Sequence, residues 1–333
     1  MFLAWDRRHS FCTRLGLLLV ASGWLVTGGP AMARAQATLK RRAPVPRAII
    51  LPQTLVAGAQ ATLAVIDGGG RLLPGVTVEI SVRHTSAGSA WSPAKNGADF
   101  AGSPPVKVTT DSTGRALFIA PSDPGPLIAR ISGRRITASA TGVAQKEMAA
   151  PAGSAGGAPV LSVISYPRVL AILDRFAIQG NGFRGAADAN HVFLGDQPCL
   201  VVASSPVSLV VLPGPHIPIG DIALRVRAGG HDAGPFPVTG VLLDFSGPAE
   251  APTAGAEGKL ILRVHGTTEP LAVEVRNASP EIIQLSHGNL QLLGTSGGEE
   301  NIAPVELKFL ASGNYVVTAW LAPGDAVSSQ GRN

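Results

Sequence analysis

The chain is poor in the residues from which long helices and reactive centres are built. Of its 333 residues only 15% are Asp, Glu, Lys or Arg, 5% are aromatic and three are methionine. So few strong helix formers argue against a helical or helix-flanked architecture. Cysteine is nearly absent, with Cys12 and Cys199 alone. Cys12 falls in an N-terminal leader and has no lipobox-like surroundings, so a mature chain would keep one thiol and form no intrachain disulfide. Cys199 lies in the apolar string PCLVV and reads as a core cysteine rather than a nucleophile. Histidines never pair at i, i+2 or i, i+4, and HExxH is missing, so no zinc site is expected. Beyond the leader no apolar run reaches the roughly 18–20 residues of a bilayer span, which predicts a mature chain without a transmembrane segment.

What the chain has in quantity is glycine, 40 residues, and proline, 27. Both punctuate turns, and between them lie short segments that alternate apolar and polar residues. Val76, Val78, Ile80 and Val82 fall on one face of such a segment. An all-β chain of packed sheets follows.

Residues 1–35 read as a secretory signal peptide. Arg7, Arg8 and Arg14 form a basic start, Leu15 to Val26 an apolar stretch, and Ala33-Arg34-Ala35 a small-residue cleavage site before Gln36. Ala31-Met32-Ala33 is a rival site, and a leader retained as an anchor is the alternative. Cleavage leaves 23 of 27 basic and 21 of 22 acidic side chains, a net charge of +2, because the leader holds four arginines and one Asp. The remaining basic cluster, Lys40-Arg41-Arg42 with Arg47, reads as a solvated arm, and no nucleic-acid partner is expected.

Composition divides the rest. Residues 36–46 form a basic, proline-containing arm, 47–145 a first sandwich and 146–159 a linker rich in Ala, Gly and Pro. Residues 160–243 form a second sandwich, 244–323 a third, and 324–333 a disordered polar tail.

Three strings imitate catalytic or binding motifs. Gly180-Asn181-Gly182-Phe183-Arg184-Gly185 satisfies G-x-G-x-x-G, but a strand rather than a helix follows, so it reads as a turn at a strand end. Gly294-Thr295-Ser296-Gly297-Gly298 contains a G-x-S-x-G frame, but no histidine follows Ser296, so it reads as a glycine-rich loop. Asp188 and Asn190 hint faintly at a calcium loop. The long polar loop from His84 to Pro104 carries Trp91 and Phe100, the two candidate contacts for a protein or glycan partner. The opposite reading has Trp91 filling its own core.

Two resemblances follow from quoted residues. Asp67, Gly70, Pro74, Gly75, Val76 and Val78, then Thr109, Thr110, Asp111, Gly114 and Ala116, resemble the turn and hairpin patterns of the invasin/intimin-type bacterial Ig-like domain. Leu72 stands where that pattern has its first proline. Arg175 to Phe183, then Val192-Phe193-Leu194-Gly195 with Pro198-Cys199, Leu209 to Pro213, and Gly220 to Val226 resemble the IPT/TIG domain, with Leu194 and Cys199 as departures. The resemblances imply tandem Ig-like β-sandwich domains in a secreted or cell-envelope protein that is not an enzyme and uses no cofactor. Adhesion or scaffolding is the role they suggest. A carbohydrate-binding accessory protein acting on cell-wall or matrix glycan is the alternative, and an exported hydrolase the weaker one.

Overall fold

The computed structural model describes residues 44–83, 104–144, 160–247, 253–292, 301–322 and 326–328. Among them regular structure is almost entirely strand, with one 3-10 turn at Ala187–Ala189. The fold is all-β, built of Ig-like sandwiches, as the turn-rich composition predicts.

The first core lies between two sheets. One pairs β1 (Pro46–Ile50) with β3 (Gln60–Asp67) and β3 with β6 (Arg115–Ile119). The other runs β2 (Thr54–Val56), β8 (Thr137–Val143), β7 (Gly125–Ile131), β4 (Thr77–Val82), β5 (Val106–Thr109). The alternation read in β4 buries Val78, Ile80 and Val82 against Leu55, Leu63 and Leu127. The TTDSTGRA string is the turn into β6. Asp111 Oδ1 accepts from Thr113 Oγ1 (2.6 Å) and Thr113 N (2.8 Å), and this hydrogen bonding holds the carboxyl below its ordinary range.

A second core forms among β9 (Ser162–Pro167), β10 (Val169–Ala171), β11 (Phe176–Asn181), β12 (Asn190–Leu194), β13 (Gln197–Ser204), β14 (Ser208–Leu212), β15 (Gly220–Ala228) and the first part of β16 (His231–Ser246). It repeats the topology of the first. In each, an opening strand pairs antiparallel (β1 with β3, β9 with β11), and the next short strand pairs parallel with the last (β2 with β8, β10 with β16). Ile178, Leu194, Leu209 and Leu224 are fully buried at its centre.

The third core lies between the end of β16 with β17 (Glu257–His265), β19 (Ile283–Leu285) and β21 (Asn301–Phe309), and a small sheet of β18 (Leu271–Asn277), β20 (Asn289–Leu292) and β22 (Val317–Leu321). The boundary expected at 243/244 falls inside β16. That strand pairs with β15 through Gly240 and with β17 from Leu242 onward, because its apolar pattern continues without a turn signal. The tail at 324–333, expected to be disordered, contributes β23 (Ala326–Ser328), which pairs along β9 from Ser165 to Pro167. Open backbone groups on an edge strand recruit a short segment whatever its polarity.

Candidate functional site

The first and second cores meet in a built joint. Ile50, Ala64 and Ile66 pack on Val202, Ala203 and Val210 as an apolar cluster of their own. Around it Thr62 pairs with Ser204 in a strand bridge. Thr62 Oγ1 (2.7 Å) and Ser204 Oγ (2.6 Å) both donate to the Gly185 carbonyl, and Ser205 Oγ donates to the Thr54 carbonyl (2.6 Å). Thr62, Ser204 and Ser205 are buried, so each bond also removes the cost of a dry, unpaired hydroxyl. Arg115 closes one side. Its guanidinium grips Asp188 at 2.7 and 3.0 Å and reaches the Val201 carbonyl at 3.3 Å.

The motif strings resolve around this joint. Gly180 sits in β11, Gly185 lies against Gln60, and the residues after Gly185 form the short 3-10 turn and then β12. The glycines thus serve close backbone packing. Asn190, buried, bonds the Arg184 amide and the carbonyls of Arg184 and Ala186, while Asp188 is taken by Arg115. Both calcium candidates therefore have protein partners. Among the described residues no three His, Cys, Asp or Glu come close enough to hold a metal ion. Trp91, Phe100 and Ser296 lie outside the described residues, as do the leader and the 146–159 linker.

Arg115 and Asp188 differ in what their loss should do. The Arg115 side chain is 11% exposed and that of Asp188 81%, so solvent screens the charge attraction. Asp188→Asn should cost under about 1 kcal/mol. Arg115→Ala, which also strips a donor from the Val201 carbonyl and leaves a gap, should cost about 1–3 kcal/mol. Urea unfolding of the two variants checks this ordering.

Cys199 is half-buried at the margin of the second core. Burial pushes its thiol up to about 11. Thiolate at pH 8 is then roughly a thousandth of the total, so a disulfide reagent should label the native chain slowly and the urea-unfolded chain at once. Rapid native labelling would show a thiol far more open than this packing.

A second feature is an apolar strand edge. β5 and β6 each end their sheets and run side by side along an open groove of about 740 Å³. On β6 the alternation buries Ala116 and Phe118 and leaves Leu117 50% and Ile119 56% exposed. Unpaired strand edges with outward apolar side chains are places where another surface can add. The sequence signal was present in RALFI, a strand apolar on both faces. Reading it needed the knowledge that β6 stands at an edge.

Comparison with known proteins bears on the second core. A family profile described as "IPT/TIG domain" matches residues 159–239. Those residues form an IPT/TIG domain. The IPT/TIG domain thus contributes β9 to β15, the first part of β16 and one side of the joint with the first core. No curated protein sequence matches the chain. Similar solved structures include dimeric latent PorU from Porphyromonas gingivalis, 12% identical over 85% of this chain and 32% of that one, TM-score 0.19. The insect immune protein hemolin is 14% identical over 80% and 76%, TM-score 0.24. A Bacteroides ovatus protein, SGBP-B of a mixed-linkage glucan utilization locus, is 12% identical over 84% and 62%, TM-score 0.20. The chain spans about a third of the PorU structure's length. Beside the IPT/TIG domain, the first and third cores present the same kind of sandwich. Ig-like and IPT/TIG domains suggest a role in binding rather than in chemistry.

Proposed function

We propose that the chain is an exported, non-enzymatic interaction protein of the cell envelope or extracellular space, working in adhesion or scaffolding. Residues 1–35 direct export. The first core is an invasin/intimin-type bacterial Ig-like domain, followed by the IPT/TIG domain and a third sandwich. The observation that carries this reading is the joint. Buried hydroxyl bonds and a dedicated apolar cluster tie the first two cores together, which suits holding loops and strand edges at a set orientation toward a partner. The β5–β6 edge is the proposed contact face, and Trp91 and Phe100 are the proposed contact residues from outside the described segments.

A glycan partner is the second reading, favoured by the groove of unpaired arginines described below. One experiment separates the two. The purified chain without its leader is incubated with envelope fractions treated with protease or with glycan-degrading enzymes. Retention abolished by protease supports a protein partner, and retention abolished by glycan digestion supports the second reading. Retention by neither fraction, treated or untreated, ends the envelope role.

A further inference from the structure

Arg47 on β1 and Arg134 and Arg135 in the β7–β8 turn line one open groove of about 920 Å³. The turn is tight, with Arg134 N donating to the Ile131 carbonyl (3.1 Å) and Ile131 N to that of Ile136 (3.2 Å), and all three arginines are exposed. Arg225, Arg227 and Arg276 elsewhere each hold a carboxylate within 2.6–2.8 Å. Among the described residues the side chains of Arg47, Arg134 and Arg135 have no hydrogen-bond or ion-pair partner, and no Asp or Glu lines their groove. Asp67, opposite Pro46 in the β1–β3 register, accepts from the amides of Gly69 and Arg71 through Oδ1 and does not line the groove. Three unneutralised guanidinium groups on one groove form a site for oxyanions, which such planar donors take in pairs of parallel bonds.

We propose that this groove binds the charged groups of an anionic polysaccharide, whether carboxylate, sulfate or phosphate. The groove is too large for one small ion, and the arginines enter it from a strand and a turn distant in the chain, which suits several charges along a polymer. It has no aromatic lining on which nucleic-acid bases could stack. It is concave, so a flat lipid surface would not reach along it. The inference deepens the glycan reading and rests on the interaction role only for its setting. Binding is measured on the purified chain, so failure here leaves export and protein adhesion standing.

The test measures binding of dextran sulfate and polygalacturonate, with neutral dextran as blank, to three proteins. These are the wild type, a groove variant carrying Arg47→Gln, Arg134→Gln and Arg135→Gln, and a control carrying Lys259→Gln, Arg263→Gln and Lys308→Gln. The control loses the same charge from another face. The groove variant should keep the wild-type unfolding midpoint, since it removes exposed, unbonded side chains, and should bind roughly tenfold or more weakly. The control should bind like wild type. Equal weakening in both variants, absent binding by wild type, or arginine-dependent binding to duplex DNA or phosphatidylglycerol vesicles as tight as to the polysaccharides would each overturn the proposal.

Discussion

Gly185→Ala is expected to force the first two cores apart. A Cβ at Gly185 would stand 2.1 Å from the Gln60 carbonyl oxygen and 2.5 Å from its carbon, atoms of the β3 backbone rather than of a side chain that could swing away. The same residue's carbonyl accepts both buried hydroxyls, from Thr62 and Ser204, so any retreat breaks two bonds at once. The expected cost is about 2–4 kcal/mol, combining overpacking with the loss of satisfied buried polar groups. Chemical denaturation should show it as a lower midpoint, and hydrogen exchange should show faster opening along β3 and β13. Gly68→Ala is the control. No atom lies within 4 Å of a Cβ there, and it should shift stability by less than about 0.5 kcal/mol. Unfolding of Gly185→Ala indistinguishable from wild type would mean that the cores do not meet in this way.

The second large effect is expected at Gly180, inside the IPT/TIG domain. Its Cβ would fall 2.0 Å from the Ser162 carbonyl oxygen of β9 and 2.8 Å from the ring of Phe183, which is 4% exposed. The β9–β11 register shifts between Gln179 and Gly180, and the β9 backbone leaves no room for a side chain there. Gly180→Ala should therefore separate β9 from β11 or drive Phe183 from the core. The expected loss is about 3 kcal/mol or more. Amide protection from Ser162 to Ser165 should fall first. Because β23 pairs only with β9 among the described residues, its protection should be lost in the same step. A variant that keeps β9 protected would contradict the placement of Phe183 beneath Gly180.

How far each feature was readable from residues follows from the distance over which it is specified. The strands of the first core were legible because alternation and turn chemistry are local. VTVEISV states its buried face by itself, and TTDSTG states its turn through Asp111. The IPT/TIG strings were legible for the same reason. The joint was not. Arg115 and Asp188 are each ordinary residues in a turn region, and nothing in either neighbourhood announces that the two will pair. The boundary after Leu243 and the tail were misplaced because strand pairing depends on which edge is open, a property of the assembled sheet. Trp91 and Phe100, chosen as contacts on composition, lie outside the described residues and stay part of the proposal.

Sequence alone determined that this is a chain of short strands and glycine turns, because those properties follow from residue type and spacing within a few positions. Tertiary structure alone decided that Gly185 is a contact between cores, that Leu117 and Ile119 face outward on an edge, and that Arg47 joins Arg134 and Arg135 in one groove. Each of these depends on segments distant in the chain meeting in space, and only the packed sheets set those meetings.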